Sequence, residues 1–224
     1  MVNLVKAEGK LNTSVKTKNC EITDCLGSRR GATVMNVSVK RLSDIMLSCV
    51  LILALCVPAL ILALAVKITS TGPVLYWSDR VGARNVLFKM PKFRSMRIDA
   101  PVVATHLLNN PKAFLTPIGE FLRKSSLDEL PQLWSILMGD MSFVGPRPAL
   151  FNQQDLIELR TNCGVHKLVP GLTGWAQING RDELPIPAKV EYDYFYLKHQ
   201  TSWFDLKILW LTVGRVFGAT GVSH

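Results

Sequence analysis

No two cysteines of this 224-residue chain stand at a C-x-x-C spacing, and their total of five is odd. Cys20, Cys25, Cys49, Cys56 and Cys163 therefore offer neither a zinc-type ligand set nor the even-numbered framework of a small secreted scaffold. They read as free thiols in a reducing compartment. Negative charge is also scarce. The chain has 17 Asp and Glu against 26 Lys and Arg, a formal net charge of +9. That balance favours anionic partners: nucleic acid, an anionic membrane face or phosphorylated substrates. No helix-turn-helix, zinc or RNA-binding pattern accompanies the charge, so nucleic acid is not expected as a partner. Internal repeats and low-complexity tracts are absent. The length allows one sizeable domain and not two comfortable ones.

Polar residues almost vanish between Leu42 and Val66, where only Ser43, Asp44 and Ser48 interrupt the apolar run. A run of ~20 residues can cross a hydrocarbon core. A cleavable signal peptide is disfavoured, although Ala63-Leu64-Ala65 resembles a cleavage site. The run starts some forty residues in, and it exceeds the usual apolar core of ~7–15 residues. Basic residues flank it on both sides, Lys40 and Arg41 before, Lys67, Arg80 and Arg84 after. The positive-inside rule would hold both ends in the cytoplasm, which a re-entrant helix satisfies and a straight crossing does not. Pro58 removes a backbone donor and predicts a kink. An ordinary crossing with a tolerated proline is the other reading. Asp44 reads either as part of an interfacial charge cluster with Lys40 and Arg41 or as a carboxylate favoured at a helix N-terminus. Residues 1–39 read as a flexible basic tail, 40–67 as the membrane helix and 68–224 as a single domain.

Within that domain, Val74–Trp77 and Val86–Phe88 predict a small β-hairpin around Gly82. Thr116-Pro117 predicts a helix start, with that helix ending near Lys124. Further helices are expected from about Asp128 to Met138, Asn152 to Asn162 and Trp203 to Phe217. The last of these suits either a membrane interface or a buried core. Residues 163–187, with four glycines and three prolines, read as irregular loop. The fold class is α+β, mostly helical.

Arg123-Lys124-Ser125-Ser126-Leu127-Asp128-Glu129-Leu130-Pro131 is the segment richest in chemistry. Ser126 and Glu129 fit the S-x-x-E capping box. With Ser126 as cap, however, Pro131 would fall fifth in the helix, where its missing N–H should have bonded. With Asp128 as cap, Pro131 falls where the N–H has no partner anyway. A carboxylate at that helix end is favoured in its charged form. Such an aspartate serves equally as a passive cap or as a nucleophile toward phosphorus. Arg147, between Pro146 and Pro148, is a stiffly presented guanidinium suited to phosphate. Lys92, Arg94 and Arg97 form another basic cluster. Paired carboxylates suit magnesium, which takes one or two of them together with substrate phosphates.

These residues are similar to the bacterial sugar transferases, the monotopic polyprenyl-phosphate phosphoglycosyl transferases of capsule and O-antigen type. The matching stretches are Lys40–Asp44, Thr71–Val74, Lys92–Met96, Ser126–Leu133, Gly139–Pro148 and Pro170–Gln177. The resemblance implies a kinked re-entrant membrane helix with a cytoplasmic catalytic domain at the bacterial inner membrane. It implies transfer of a sugar 1-phosphate from a UDP-sugar to undecaprenyl phosphate with release of UMP. Asp128 would be the nucleophile of a ping-pong reaction, and Glu129, with Asp128, would hold Mg2+. Arg123, Arg147, Lys92, Arg94, Gln177 and Asp193 would bind phosphate or substrate. A homodimer and downstream glycosyltransferases are further expected partners. The family's usual Ser-Pro at the kink is Val57-Pro58 here. Asp99–Ala104 and Gly180-Arg181-Asp182-Glu183 resemble members that handle N-acetylated 6-deoxy sugars. The competing reading is a non-catalytic, membrane-anchored basic module binding nucleic acid or another anionic partner, which leaves Asp128-Glu129 and Arg147 without a purpose.

Overall fold

A computed structural model describes residues 30–101, 111–180 and 184–218. Its first element is a helix, α1 (Arg30–Thr69), which contains Pro58. The helix thus starts before the expected boundary at Lys40, because residues 30–39 carry no proline to stop it. The rest of the expected tail lies outside the described residues.

The hairpin forms as expected. β1 (Leu75–Val81) pairs antiparallel with β2 (Leu87–Phe93), from Leu75↔Phe93 to Val81↔Leu87. Both strands are longer than the apolar runs that signalled them, since the ladder continues through Ser78, Asp79 and Lys89. The reversal closes with Gly82 N–H donating to Val86 O at 2.8 Å. Two short helices follow, α2 (Gly119–Lys124) and α3 (Gln132–Met138). Then come β3 (Ser142–Val144), β4 (Ala149–Leu150) and α4 (Gln154–Asn162). β4 adds to the outer edge of β1.

The segment read as irregular loop is partly ordered. It contains β5 (Gly171–Thr173), parallel to β3, then α5 (Trp175–Ile178) and the start of α6 (Ile186–His199). Glycines permit this pairing by close backbone approach. A Cβ on Gly171 would lie 2.1 Å from Gly145 N, and one on Gly174 would lie 2.1 Å from Gly145 O. The last described element is α7 (Ser202–Gly218).

α1 carries two apolar faces of different fate. Leu51, Ile52 and Leu55 pack on a core built from Leu133, Ile136, Phe143, Tyr196 and Ile208. Ala59, Leu62, Ala63 and Val66 pack on a second core with Phe93 and Leu122. The other face, including Leu42, Met46, Val50, Leu53, Val57, Leu60, Leu64 and Ile68, stays exposed, Leu53 at 75%. A helix apolar all round is expected to be fully surrounded, so this uncovered face requires an apolar environment.

The charges at the head of the run do not point outward. Lys40 Nζ bonds Asp205 Oδ2 at 2.5 Å and Val144 O at 2.8 Å. Arg41 donates to Ile136 O and Leu137 O, at 2.5 and 2.7 Å, neutralising the carbonyl end of α3. The reading of Asp44 as a carboxylate at a helix N-terminus is corrected: α1 starts at Arg30, and Asp44 is buried within it, its Oδ1 accepting from Phe143 N–H at 3.3 Å. The flanking basic residues that suggested topology are thus partly ties between α1 and the domain.

Candidate active site

Asp128 and Glu129 do not begin a regular helix. They occupy a single 3-10 turn, Leu127–Glu129, and α3 starts only at Gln132, after Pro131. Ser126, just ahead of the turn, has φ 57°, and no side chain caps the turn. This corrects both capping readings. Left-handed backbone at a non-glycine residue is costly, of order ~1 kcal/mol or more, and here it swings the two carboxylates out of line with α2.

The two carboxylates differ in setting. Burial by itself would raise Glu129, but Lys92 and then Arg147 hold it well below the usual carboxylate range. Its Oε1 accepts from Lys92 Nζ at 2.7 Å and from Arg147 Nη2 at 3.3 Å. Burial pushes Asp128 above its ordinary value, against the pull of Lys92. The expectation of an aspartate held ionised by a helix end is therefore replaced: no helix starts at Asp128, and cations do the work that opposes burial. Lys92 itself is lowered by its burial, with Glu129 opposing.

These groups line a cavity of about 520 Å³. Lys92 from β2, Arg123 from α2, Asp128, Glu129, Arg147 and Arg215 from α7 form its charged part. Leu47, Leu51 and Leu55 of α1, Leu172, and Leu209 and Val213 of α7 form its apolar part. One compartment thus joins a cluster of cations and two carboxylates to the helix whose outer face needs an apolar environment.

Three of the expected binding residues stand differently. Arg94 is buried away from the cavity lining and donates to Ser70 O and Oγ, at 2.9 and 2.7 Å, tying β2 to the end of α1. Asp193 is also outside the lining. Its Oδ2 accepts from Arg160 Nη2 at 2.6 Å and Nε at 3.0 Å, while Arg160 Nη1 donates to Arg147 O at 2.7 Å. Asp193 is thus linked to the lining residue Arg147 through Arg160 and the Arg147 carbonyl. Gln177 does line the cavity, but the unpartnered end of its amide is Oε1. A carbonyl oxygen accepts hydrogen bonds, and a phosphate oxygen donates none.

Arg160 escaped the sequence reading because a lone arginine on a polar helix looks solvated. The leucines of α1 escaped it because a membrane run does not announce which face turns inward. No cluster of three or more His, Cys, Asp or Glu that could hold a metal occurs among the described residues. Asp128 and Glu129 still match the oxygen donors magnesium takes when substrate phosphates complete its shell.

Residues 35–219 match the bacterial sugar transferase family. The chain belongs to that family. Among curated relatives of this bacterial sugar transferase is the UDP-glucose:undecaprenyl-phosphate glucose-1-phosphate transferase of Escherichia coli (strain K12). It is 42% identical over 192 residues, covering 82% of this chain and 41% of the relative. The undecaprenyl-phosphate galactose phosphotransferase of Salmonella typhimurium is 37% identical over 203 residues, covering 82% and 41%. An uncharacterized sugar transferase, EpsL of Bacillus subtilis, is 37% identical over 188 residues, covering 83% and 91%. The chain thus spans about two fifths of the length of the first two relatives and nearly all of the third.

Proposed function

We propose that this bacterial sugar transferase moves a sugar 1-phosphate from a UDP-sugar to undecaprenyl phosphate and releases UMP. The observation that carries the reading is the composite cavity, charged at Lys92, Arg123, Asp128, Glu129, Arg147 and Arg215, and apolar at Leu209, Val213 and the leucines of α1. A nucleotide sugar needs the first part and a phosphorylated lipid needs both.

In the first step an Asp128 carboxylate oxygen attacks the sugar-proximal phosphorus. The bond from that phosphorus to the bridging oxygen breaks, and UMP leaves with the electron pair. In the second, a lipid phosphate oxygen attacks the same phosphorus, the bond to Asp128 breaks, and the carboxylate is restored. Lys92, Arg123 and Arg147 neutralise the phosphate charge. Asp128 and Glu129 would hold magnesium, which adds further neutralisation of that charge.

The expected assay result is UMP release that requires both a UDP-sugar and undecaprenyl phosphate for sustained turnover. The panel spans UDP-glucose, UDP-galactose and N-acetylated 6-deoxy sugars. The last class rests on Asp99–Ala104 and Gly180–Glu183, of which residues 102–104 and 181–183 lie outside the described residues. Absence of UMP release from every member would sink the proposal.

The proposed location is the cytoplasmic face of the inner membrane, with α1 entering and leaving one leaflet. From Lys40 to Val66 a helix extends roughly 39 Å at ~1.5 Å per residue, more than a hydrocarbon core of ~30 Å. Yet the Lys40–Asp205 pair at one end and the Arg94–Ser70 bonds at the other belong to the same domain. A straight crossing would separate them by the bilayer. On α7, Trp203, Leu206, Trp210 and Val213 form an exposed stripe, both tryptophans at 78%, while Asp205 and Ile208 are buried. That helix is both interfacial and core-packed. A cysteine introduced at Lys10 is expected to react with an impermeant thiol reagent only from the cytoplasmic side. Reaction from the periplasmic side would refute the one-sided topology.

A further inference from the structure

Arg215 lies in the last turn of α7 and lines the cavity on its α7 wall, with Leu209, Thr212 and Val213. The other cations of the lining are engaged. Lys92 and Arg147 bond Glu129, and Arg123 acts with them on Asp128. Arg215 has neither a hydrogen-bond partner nor an ion pair among the described residues. A cation in the last turn of a helix is favoured by the dipole whichever way it faces, so the dipole does not account for its place in the lining. Lys207 shows the contrast: it is a second exposed cation on α7, and it stands outside the lining. Thr212 and Arg215, three residues apart, are neighbours on the helix surface. The Thr212 hydroxyl is committed to Ile208 O at 2.8 Å and to Thr173 Oγ1 at 2.7 Å. That leaves Arg215 as the open polar residue of the α7 wall, beside the apolar stretch formed by Leu209, Val213 and the leucines of α1.

We propose that Arg215 binds the phosphate of the lipid acceptor. This rests on the proposed function. Both substrates carry phosphate oxygens, and a guanidinium takes two of them at once. The neighbours decide between the two sources. A phosphate monoester on a long apolar chain needs a cation beside an apolar wall, and Leu209, Val213 and Arg215 supply both within ~9 Å of one helix. The same helix carries the exposed Trp203 and Trp210, suited to the membrane interface from which a lipid arrives. In the second step the incoming phosphate meets a phosphosugar of like charge on Asp128. A cation outside the Lys92–Glu129–Arg147 cluster offsets that repulsion without releasing Glu129.

The test compares Arg215→Gln and Lys207→Gln with the unaltered chain in neutral-detergent micelles. Both side chains are exposed, so neither replacement opens the core. In a ping-pong reaction kcat/KM for each substrate reports its own half-reaction. Arg215→Gln is expected to lower kcat/KM for undecaprenyl phosphate roughly ten- to hundredfold, with kcat/KM for the UDP-sugar and inhibition by UMP held within about twofold. Lys207→Gln is expected to match the unaltered chain. An equal loss in Lys207→Gln marks general attraction between the helix and the anionic lipid, and overturns the proposal. A fall for the UDP-sugar, or weaker inhibition by UMP, puts Arg215 on the nucleotide phosphates and also overturns it. So does a loss below about threefold on undecaprenyl phosphate. Equilibrium binding separates this inference from the proposed function. Undecaprenyl phosphate is expected to bind Arg215→Gln about tenfold or more weakly, while undecaprenol, which lacks the phosphate, binds both proteins alike. Equal binding of undecaprenyl phosphate overturns the Arg215 site, whereas an unaltered chain that binds the lipid and releases no UMP refutes the proposed function.

Discussion

Asp128→Asn is expected to stop UMP release, with kcat lower by on the order of 10^4 or more, while the folded protein melts no earlier than the unaltered chain. The two halves of this expectation come from one observation. Burial raises the Asp128 carboxyl above its ordinary value of 3.8. A carboxylate whose folded pKa is raised binds its proton more readily folded than unfolded. Below the ordinary value both states are protonated and the residue is neutral toward stability. As pH rises through the raised pKa, folding carries the full cost of a buried charge. Asparagine, uncharged and nearly isosteric, removes that cost at neutral pH. A helix-capping aspartate behaves oppositely, and its loss would cost about 1 kcal/mol, a fall of ~2–4 °C for a domain of this size. Differential scanning in detergent and UMP release on the same preparation separate the two. The rate should also fall as pH drops through the raised pKa, because only the ionised carboxylate attacks phosphorus. UMP release within tenfold of the unaltered chain would remove Asp128 from the nucleophile's place.

What was legible in the sequence was what depends on local pattern. The apolar run of α1, the hairpin around Gly82 and the helix of α7 each follow from composition, turn residues or periodicity over a short window. Asp128, Glu129, Lys92, Arg123, Arg147 and Gln177 all reach the cavity. What was illegible depends on contacts between distant segments. β3 and β5 are three residues each, and pair in parallel across the glycines that made residues 163–187 look like loop. The start of α3 could not be placed from Pro131, because a left-handed Ser126 and a 3-10 turn intervene where a simple helix start was assumed. Lys40 and Arg41 read as membrane-flanking charges by position, and only the partners 165 and 95 residues away reveal them as interior ties. Arg94 and Asp193 were grouped with phosphate binders by their motifs, whereas their partners give them the work of holding other parts in place.

Asp193→Ala is expected to lower the melting temperature by roughly 10 °C. The pair it breaks is closed off from water on both sides. Arg160 places two nitrogens on Asp193 Oδ2 and the third on the carbonyl of Arg147. Deleting the carboxylate leaves a buried guanidinium without its counter-charge, a cost of about 3–5 kcal/mol, against a total stability of only ~5–15 kcal/mol. The same deletion frees Arg160 to shift, and with it the Arg147 carbonyl between Pro146 and Pro148. Arg147 reaches Glu129 at 3.3 Å, so the disturbance enters the cavity through the backbone. A purely structural pair and a positioning pair part company in the double variant Arg160→Met with Asp193→Leu. Replacing a buried ion pair by apolar residues of similar volume is often neutral or stabilising, so the melting temperature is expected to recover. If Arg160 positions Arg147, kcat/KM for UMP release stays roughly tenfold low even in the stable double variant, because no guanidinium holds the carbonyl. Recovery of activity together with stability would confine Arg160 and Asp193 to holding α4 against α6.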